Sequence, residues 1–373
     1  MIILTLNSGS TSVKLGLYDT GAADGNHSPA RLVNERHSGT DLEPRGLLSQ
    51  FLGKLRSPPD VVAHRVVHGG TRFPGPALID DAVVGDVRKL AELAPLHNPA
   101  ALRWIEAART ACGEGVAHVA VFDTSFFSQL PRRAAEYALS ATLGVELGVR
   151  RYGFHGLAHE AMWRRWCELF PSLPSGGRLI SVQLGGGCSI TAIDKGQAVD
   201  NSMGFSPLEG LVMATRSGDV DPSILPYLQE RLALTSEQVV ELLNRKSGLA
   251  GLSGKSANPG ELLEDSAPQS QFAVDLYCYR LRKYIGAYCA VLGGCDGIVF
   301  GGGVGEHVPE VRARALAAME WAGIELDMAA NRAARGAEAA IQSERSKVRV
   351  HVVPVDEEAV MVRAAVAVIA SGR

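Results

Sequence analysis

Several charged side chains of this sequence follow apolar runs or lie in Gly-rich loops, where binding and catalytic groups are common. Arg65 alternates with valines in the strand-like segment DVVAHRVVHGG, and a buried guanidinium is costly unless it meets an anion. Asp123 directly follows an apolar run at 116–122, and Arg216 lies in the polar turn TRSGD. Together these groups could hold an anionic substrate. The local sequence also allows a structural carboxylate beside Arg65, a helix N-cap at Asp123 and a solvated loop around Arg216.

Residues 1–19 predict a β-hairpin whose polar turn could hold phosphate oxygens. Apolar runs at 2–6 and 13–18 flank a turn at 7–12, which offers backbone N–H groups, an asparagine, hydroxyls and a nearby lysine. These side chains include Asn7, Ser10, Ser12 and Lys14. The GxxxxGK[ST] spacing of a P-loop is absent, and an ordinary polar turn is the alternative.

The same pattern of apolar strand, Gly-rich turn and apolar strand returns at 178–200. Its turn region contains Gln183, Leu184, Gly185, Gly186 and Gly187. A repeated hairpin deep in one chain predicts an internal duplication, with one unit in each of two domains. Two such hairpins facing each other across a cleft could grip a polyphosphate from both sides.

A third glycine cluster follows a short buried strand predicted at 297–300 and precedes a helix predicted from residue 309 onward. The cluster contains Gly302, Gly303, Val304, Gly305 and Glu306. A strand, glycines and a helix N-terminus in succession favour binding of a phosphate or an adenosine ribose. The spacing is not GxGxxG, which disfavours a Rossmann dinucleotide site.

The remaining segments predict an α/β protein, with a loop at 246–261, a long helix at 272–292 and a last strand at 348–354. Glu357 lies at the start of a terminal helix, where acidic residues ordinarily complement the helix dipole. His155 and His159 have the spacing of zinc ligands on a helix, but no third ligand lies nearby in the sequence.

Composition limits the function further. The chain has 373 residues, 46% of them hydrophobic and 21% charged, which is typical of a globular protein and long enough for two domains. A formal net charge of −3 leaves no basic surplus for nucleic acid or an anionic membrane. No apolar run reaches the roughly 18 residues of a membrane span, and we expect no signal peptide. The six cysteines show no CxxC spacing, so we expect reduced thiols and a cytoplasmic protein.

Read together and in order, the short motifs of this chain resemble those of the acetate kinase family. They are NSGSTSVK at 7–14, HRVVHGG at 64–70, APLHNP at 94–99, FDTSF at 122–126, RYGFHG at 151–156, MGFSPLEG at 203–210, TRSGDVDP at 215–222, GGVGE at 302–306 and DEE at 356–358. The resemblance covers nearly the whole chain. It implies a duplicated ribonuclease-H-like fold, as in actin, sugar kinases and heat-shock ATPases, with two domains around a cleft. We expect an N-terminal domain of residues 1–128 plus 357–373 and a C-terminal nucleotide-binding domain of residues 129–356.

The resemblance implies reversible transfer of the γ-phosphoryl group of ATP to acetate, giving acetyl phosphate and ADP, with Mg²⁺ or Mn²⁺ and in a homodimer. Asn7 and Glu357 would hold the metal ion. Ser10, Ser12 and Lys14 would lie on the phosphate side.

The same resemblance gives roles to the charged residues of the acceptor side. Arg65 and Arg216 would clamp the acetate carboxylate and the migrating phosphoryl group. His155 and His97 would stabilise the transition state, and Asp123 would be the essential acidic residue. Because acetate is already ionised at neutral pH, we expect Asp123 to orient an arginine or a metal-bound water, not to abstract a proton.

The family's pocket for the acetate methyl group maps onto Val67, Leu96, Phe154 and Pro207. Relatives that prefer propionate enlarge this pocket at the valine, which is kept here. One extra methylene is worth only about 1–3 kcal/mol of discrimination, so we expect acetate to be favoured and propionate to be a poorer substrate.

The nucleotide half departs from the family's pattern. In place of His-Leu-Gly-Asn-Gly, the second hairpin has Gln183, Leu184 and three glycines, which removes a possible positive charge near the phosphates. The family's Asp-aromatic-Arg beside adenosine falls at Asn258, Pro259 and Gly260. The donor could therefore be bound weakly, or could be another nucleotide or pyrophosphate.

Three alternatives remain open on the sequence alone. One is a propionate or other short-chain acyl kinase, and another is a member with a donor other than ATP. The third belongs to a different class, a non-catalytic nucleotide-dependent clamp. The two arginines argue against the clamp, because a clamp needs no second arginine at an acceptor site.

Overall fold

The structure is a computed structural model that describes residues 1–9, 12–23, 29–39, 42–95 and 97–372. Two predicted site residues, Ser10 and Leu96, lie outside this part of the chain. Contacts divide the chain into a first unit, Met1–Ser128, His155–Ala161 and Asp356–Arg373, and a second unit, Gln129–Phe154 and Met162–Val355. The predicted domain boundaries stay a prediction, because a division by contacts does not show which segments fold independently.

The strands alternate with helices along each unit. They are β1 (Ile2–Ser8), β2 (Ser12–Ala23), β3 (Pro29–Ser38), β4 (Val61–Val66), β5 (Ala77–Leu78), β6 (Ala117–Phe122), β7 (Arg178–Leu184), β8 (Cys188–Asp194), β9 (Gln197–Asn201), β10 (Gly297–Gly301), β11 (Ala339–Ala340) and β12 (Arg349–Val352).

The helices cover the sheets and connect their strands. They are α1 (Pro44–Leu52), α2 (Asp81–Lys89), α3 (Asn98–Cys112), α4 (Arg132–Ala135), α5 (Ala141–Glu146), α6 (Gly156–Leu169), α7 (Ile224–Leu232), α8 (Ser236–Arg245), α9 (Gly248–Ser253), α10 (Pro259–Glu264), α11 (Pro268–Val291), α12 (Gly302–His307), α13 (Pro309–Leu316), α14 (Met328–Ala333) and α15 (Glu357–Ser371). Within the described ranges, none of them combines the length and apolar character needed to cross a bilayer.

The first unit is built on a mixed sheet whose described strands have the order β3-β2-β1-β4-β6-β5. Strands β1, β2 and β3 are antiparallel neighbours, whereas β4 and β6 run parallel to β1. Apolar side chains pack on both faces of this sheet, against α15 on one face and against α1 and α3 on the other. Burial on both faces explains why the strand sequences read as continuous apolar runs.

The second unit repeats this topology. Its described strands have the order β9-β8-β7-β10-β12-β11, with three antiparallel strands, two strands parallel to the central one and an antiparallel edge. Each strand therefore has a counterpart in the first unit, from β1 and β7 through to β6 and β12. The internal duplication predicted from the two hairpins is confirmed.

Three local predictions are wrong. Asn7 was expected in a turn, but it pairs with Lys14 inside the β1–β2 ladder. The predicted loop at 246–261 contains α9 and the start of α10, because the backbone N–H of Leu249 donates to the carbonyl of Met213 and ties this segment to the rest of the unit. The glycine cluster at 302–306 is itself helical, as α12.

Two histidines are buried side by side in the first sheet. Nε2 of His64, on β4, lies 2.9 Å from Nδ1 of His118, on β6, and the two rings stack. Burial, and secondarily the neighbouring His118, lowers the pKa of His64 well below its ordinary 6.5. Burial, and secondarily Arg109, lowers the pKa of His118 to about 4. Both rings are therefore neutral in the folded protein at neutral pH.

This pair predicts a loss of stability in mild acid. The unfolded chain binds a proton at each histidine below about pH 6.5, whereas the folded chain does so at His118 only below about pH 4. The free energy of unfolding should fall across this window by about 1.4 kcal/mol per pH unit for each such histidine.

The measurement is the urea midpoint of the full chain at about pH 7 and about pH 5. We expect the acid shift to be smaller in His118→Gln than in the wild type. The exposed His307→Gln should keep the wild-type shift. Equal shifts in all three proteins would contradict the assignment.

Candidate active site

The carboxyl ends of the parallel strands β1, β4 and β6 bring three polar side chains together. Arg65 donates from Nε and Nη2 to the two carboxylate oxygens of Asp123, at 3.1 and 2.7 Å. Its Nη1 donates to Oδ1 of Asn7 at 3.0 Å. Asp123 is thus the buried carboxylate partner of Arg65, and both of its oxygens are occupied by the guanidinium. The alternative of a helix N-cap at Asp123 is wrong.

The start of α15 completes this cluster. Asn7 donates from Nδ2 to Glu357 and to Glu358, at 2.7 Å each. Lys14 Nζ lies 3.5 Å from the Glu358 carboxylate. Asp356 caps the helix by accepting from the backbone N–H of Ala359, which leaves Glu357 free of that task. Sequence analysis gave Glu358 no role, although its place in the DEE motif was a signal.

Three carboxylates and two cations share this site, so its balance of charge is slightly negative. Burial would raise the pKa of Glu357, but the charge of Arg65 and the hydrogen bond from Asn7 outweigh burial and lower it. Burial raises the pKa of Asp123, and Arg65 opposes that rise. Burial disfavours the charge on Arg65, but Asp123 and then Glu357 more than compensate and raise its pKa. Arg65 is therefore permanently charged.

The carbonyl of Asp123 is pressed against the start of α6. A Cβ added to Gly156 would lie 1.9 Å from that oxygen, so only glycine fits. His155, the preceding residue, has a φ of 58°, which is a strained conformation for a residue with a side chain. His159 is buried one turn along, with its ring edge-on to Phe127. Burial lowers its pKa well below 6.5.

In the second unit, the Gly-rich turn between β7 and β8 adjoins the segment that carries Arg216. The carbonyl of Gly186 accepts a hydrogen bond from the backbone N–H of Ala214 at 3.2 Å. Arg216 donates from Nη1 to the carbonyl of Pro207 at 3.0 Å. The loop is therefore packed against protein, and the alternative of a freely solvated loop is wrong.

Arg216 differs from Arg65 in having no counter-ion. No carboxylate of the described residues lies within ion-pair distance of its guanidinium. Burial lowers the pKa of Arg216, and Cys188 opposes this only in part. A partly buried guanidinium bound to one carbonyl keeps most of its donors for an anion.

The other predicted nucleotide residues of this unit make local contacts. Gly302 has a φ of 77° and lies so close to Leu184 that a Cβ would meet its carbonyl at 2.5 Å. Glu306 accepts from the backbone N–H groups of Gly302 and Val355, at 2.9 and 3.2 Å. Within the described chain, Oε1 of Gln183 is buried without a hydrogen-bond partner.

Asn258 caps α10 through a hydrogen bond from the backbone N–H of Gly260, at 2.9 Å, with Pro259 between them. Its amide also donates to Glu261 at 3.2 Å. Asn258 is therefore the N-cap of α10 in this structure.

The remaining predicted residues lie at element ends. Val67 directly follows β4 and is buried. His97 immediately precedes α3, and Ser12 begins β2. Phe154 is buried in the second unit, where its backbone N–H lies 3.4 Å from the Asn201 side chain.

Comparison with known proteins agrees with this arrangement. A family model described as the acetokinase family matches residues 33–363. This chain belongs to the acetokinase family. The acetate kinase of Heliobacterium modesticaldum is 39% identical to it, over 97% of this chain and 98% of that protein.

Solved structures of family relatives confirm the predicted fold class. The crystal structure of Porphyromonas gingivalis acetate kinase is 36% identical, with a TM-score of 0.86 over 99% of both chains. A propionate kinase from Francisella tularensis is 29% identical, with a TM-score of 0.86 over 98% of this chain and 99% of that one.

The contact between Gly156 and Asp123 gives a direct test of how the cluster is held. We expect Gly156→Ala to lower the urea midpoint clearly and to abolish most activity, because the backbone of Asp123 must move away from the added methyl group. Gly85→Ala is the matched control, since a Cβ at this helical glycine of the same unit meets nothing within 4 Å. It should be neutral or slightly stabilising. A fully active Gly156→Ala protein would show that the contact is not a constraint.

Proposed function

We propose that this acetokinase-family chain is an acetate kinase that transfers the γ-phosphoryl group of ATP reversibly to acetate. The observation that carries the proposal is the contrast between two arginines: Arg65 is neutralised by Asp123, whereas Arg216 has no carboxylate within ion-pair distance among the described residues. Phosphoryl transfer to a carboxylate brings two anions together, so it needs fixed positive charge that the protein has not already neutralised. Arg216 supplies that charge. Arg65 supplies a guanidinium whose orientation is fixed by its two hydrogen bonds to Asp123.

Asp123 is assigned to hold Arg65 and not to act as a general base. Both of its oxygens accept hydrogen bonds from the guanidinium. Acetate is already ionised at neutral pH and needs no base. His155, in its strained conformation, and His97, at the start of α3, are proposed to stabilise the charge that develops on the migrating group.

The donor set around Asn7 fits Mg²⁺. Glu357 is an ionised carboxylate, and Asn7 adds an amide oxygen, which now accepts from Arg65. Within the described ranges no three His, Cys, Asp or Glu side chains group as metal ligands. This fits Mg²⁺, which is usually held by one or two carboxylates, waters and substrate phosphates, whereas a closed structural metal site would need more protein ligands. When bound, Mg²⁺ would neutralise phosphate charge during transfer.

The phosphates of ATP are assigned to Ser10, Ser12 and Lys14, to the glycine turn at 185–187 and to the glycine-rich residues 302–306 of α12. Glycine turns offer backbone N–H groups without steric obstruction. The side-chain amide of Gln183 carries N–H donors, which suit a phosphate oxygen. The adenosine is assigned to residues 258–260, where Asn258 also caps α10.

The methyl group of acetate is assigned to Val67, Leu96, Phe154 and Pro207. All four side chains are apolar, which suits contact with a methyl group. A propionate kinase is among the similar solved structures, and one methylene is worth only about 1–3 kcal/mol, so we propose slower turnover of propionate and not its exclusion.

We also propose a cytoplasmic homodimer, in keeping with the family resemblance. Large apolar side chains are exposed on the second unit, including Tyr279 at 60% and Trp321 at 76%, which suits an interface. The cysteines are present as free thiols in the structure, which suits a reducing compartment. Light scattering coupled to gel filtration measures the oligomeric state.

The decisive experiment is a hydroxamate assay of acyl phosphate formation with Mg²⁺. Acetate and propionate are each offered with ATP, GTP or pyrophosphate. We expect acetyl phosphate with ATP, and less product from propionate. Activity only with pyrophosphate or GTP would show that ATP is not the donor, while the assignment of acetate as the acceptor would stand. Silence under every condition would favour the nucleotide-dependent clamp.

Asp123→Asn tests the assigned role of that carboxylate. The amide keeps the shape but presents one NH₂ group to Arg65 in place of an acceptor, so the guanidinium loses its direction and its counter-charge. We expect kcat to fall by about a hundredfold or more, with no new dependence on pH, because no proton transfer is lost. Full activity, or rescue at high pH, would refute this role.

A further inference from the structure

The direction of Arg216 depends on a loop that precedes it in the chain. Residues 201–210, here called the 201–210 loop, join the end of β9 to the segment that carries Arg216. Nη1 of Arg216 donates to the carbonyl of Pro207 at 3.0 Å. Any displacement of that carbonyl would turn the guanidinium away from its present direction.

Glu209 ties this loop to two side chains from an earlier part of the second unit. Arg151 donates from Nη2 to Oε1 of Glu209 at 2.6 Å. The Tyr137 hydroxyl donates to Oε2 of the same carboxylate in a short hydrogen bond. Both oxygens of Glu209 are thus occupied, and charge-assisted bonds of this kind are about twice as strong as neutral ones.

The same two side chains also bind the loop backbone. Arg151 donates from Nη1 to the carbonyls of Asn201 and Met203, at 2.8 and 3.1 Å. The Tyr137 hydroxyl oxygen accepts from the backbone N–H of Phe205 at 2.8 Å. The loop is therefore held at its start and middle as well as at Glu209.

The atoms around Gly204 are closely packed. A Cβ added to Gly204 would lie 1.7 Å from Oε2 of Glu209 and 2.1 Å from the Tyr137 hydroxyl oxygen. Arg151 and Glu209 are mostly buried, with 17% and 29% of their side chains exposed. Removing one hydroxyl would leave an unpaired backbone donor and an unpaired carboxylate oxygen in a closely packed site.

We propose that Tyr137 and Arg151, acting through Glu209 and the 201–210 loop, are positioning residues that set the direction of Arg216 for the acyl acceptor. This inference rests on the proposed function of Arg216. In the described part of the chain, neither side chain is hydrogen-bonded to Arg216, and their effect passes through the Pro207 carbonyl. We expect the effect to be confined to the acceptor half, because the hydrogen bonds of Glu306 that hold the start of α12 involve other residues.

Tyr137→Phe is the sharpest test, because it removes one oxygen atom and keeps the ring. We expect kcat/KM for acetate to fall about tenfold or more, while KM for ATP changes by less than about twofold. Arg151→Lys keeps a positive charge for Glu209 but loses the fork that reaches two carbonyls, so we expect a larger loss of the same kind. Ile341→Val is the control: it trims a fully buried side chain of the same unit, at a residue whose backbone N–H donates to the carbonyl of Val350 in β12.

The unfolding midpoint of each variant is measured beside its kinetics. If Tyr137→Phe and Ile341→Val have the same acetate kinetics, the positioning role is refuted, even if Tyr137→Phe has the lower midpoint. Equal losses in KM for ATP and for acetate would also refute it, because the effect would then not be confined to the acceptor half.

A second readout separates this inference from the proposed function. Acetate that binds at Arg216 should raise the unfolding midpoint relative to an equal concentration of chloride. We expect Tyr137→Phe to lose this rise and Ile341→Val to keep it. If the wild type makes no acetyl phosphate but keeps the rise, and Tyr137→Phe loses it, the proposed function fails and the positioning role stands. A rise that Tyr137→Phe retains in full would overturn the positioning role in either case.

Discussion

The bidentate pair of Arg65 and Asp123 is the constraint on which the first unit depends. A buried guanidinium and a buried carboxylate are costly when apart and tolerable only in good geometry, so their strands must end side by side. Asn7 and Glu357 contact the same guanidinium, so the end of β1 and the start of α15 must also lie beside Arg65. A shift of β4 by one residue would turn Arg65 to the opposite, apolar face of the sheet. The charged cluster therefore fixes the register of the sheet as much as the sheet positions the cluster.

The duplicated second unit uses corresponding places for different chemistry. Asn7 and Gln183 both lie two residues before a glycine of their hairpin turn, and they pair with Lys14 and Ser189, near the start of the return strand. Arg65 is the next-to-last residue of β4, the parallel strand beside β1, and Gly301 is the last residue of β10, the corresponding strand beside β7. The first unit thus concentrates charged side chains at these ends, whereas the second exposes glycine backbone. The same strand topology therefore carries charged side chains in the first unit and glycines in the second.

The two arginines illustrate a division of labour that suits transfer between anions. Arg65 has its charge balanced by a fixed carboxylate, so its contribution is direction. Arg216 has its backbone contact and no carboxylate among the described residues, so its contribution is charge. A buried positive charge without a counter-ion destabilises a folded protein. Close packing around Gly204, Gly218 and Gly248 nevertheless holds the segment that carries Arg216 in place.

The sequence by itself determined the two-unit α/β duplication, the positions of most strands and of the long helix α11, and the identity of Arg65, Asp123, Arg216 and Glu357 as candidates. Apolar periodicity and glycine turns are determined by residues close together in the sequence, so they can be predicted without knowledge of the tertiary contacts. Only the tertiary structure decided that Asp123 pairs with Arg65 and does not cap a helix, that Glu358 binds Asn7, and that Tyr137 and Arg151 bind Glu209. These contacts join residues up to 351 positions apart, and no local pattern encodes which distant partner satisfies a buried charge.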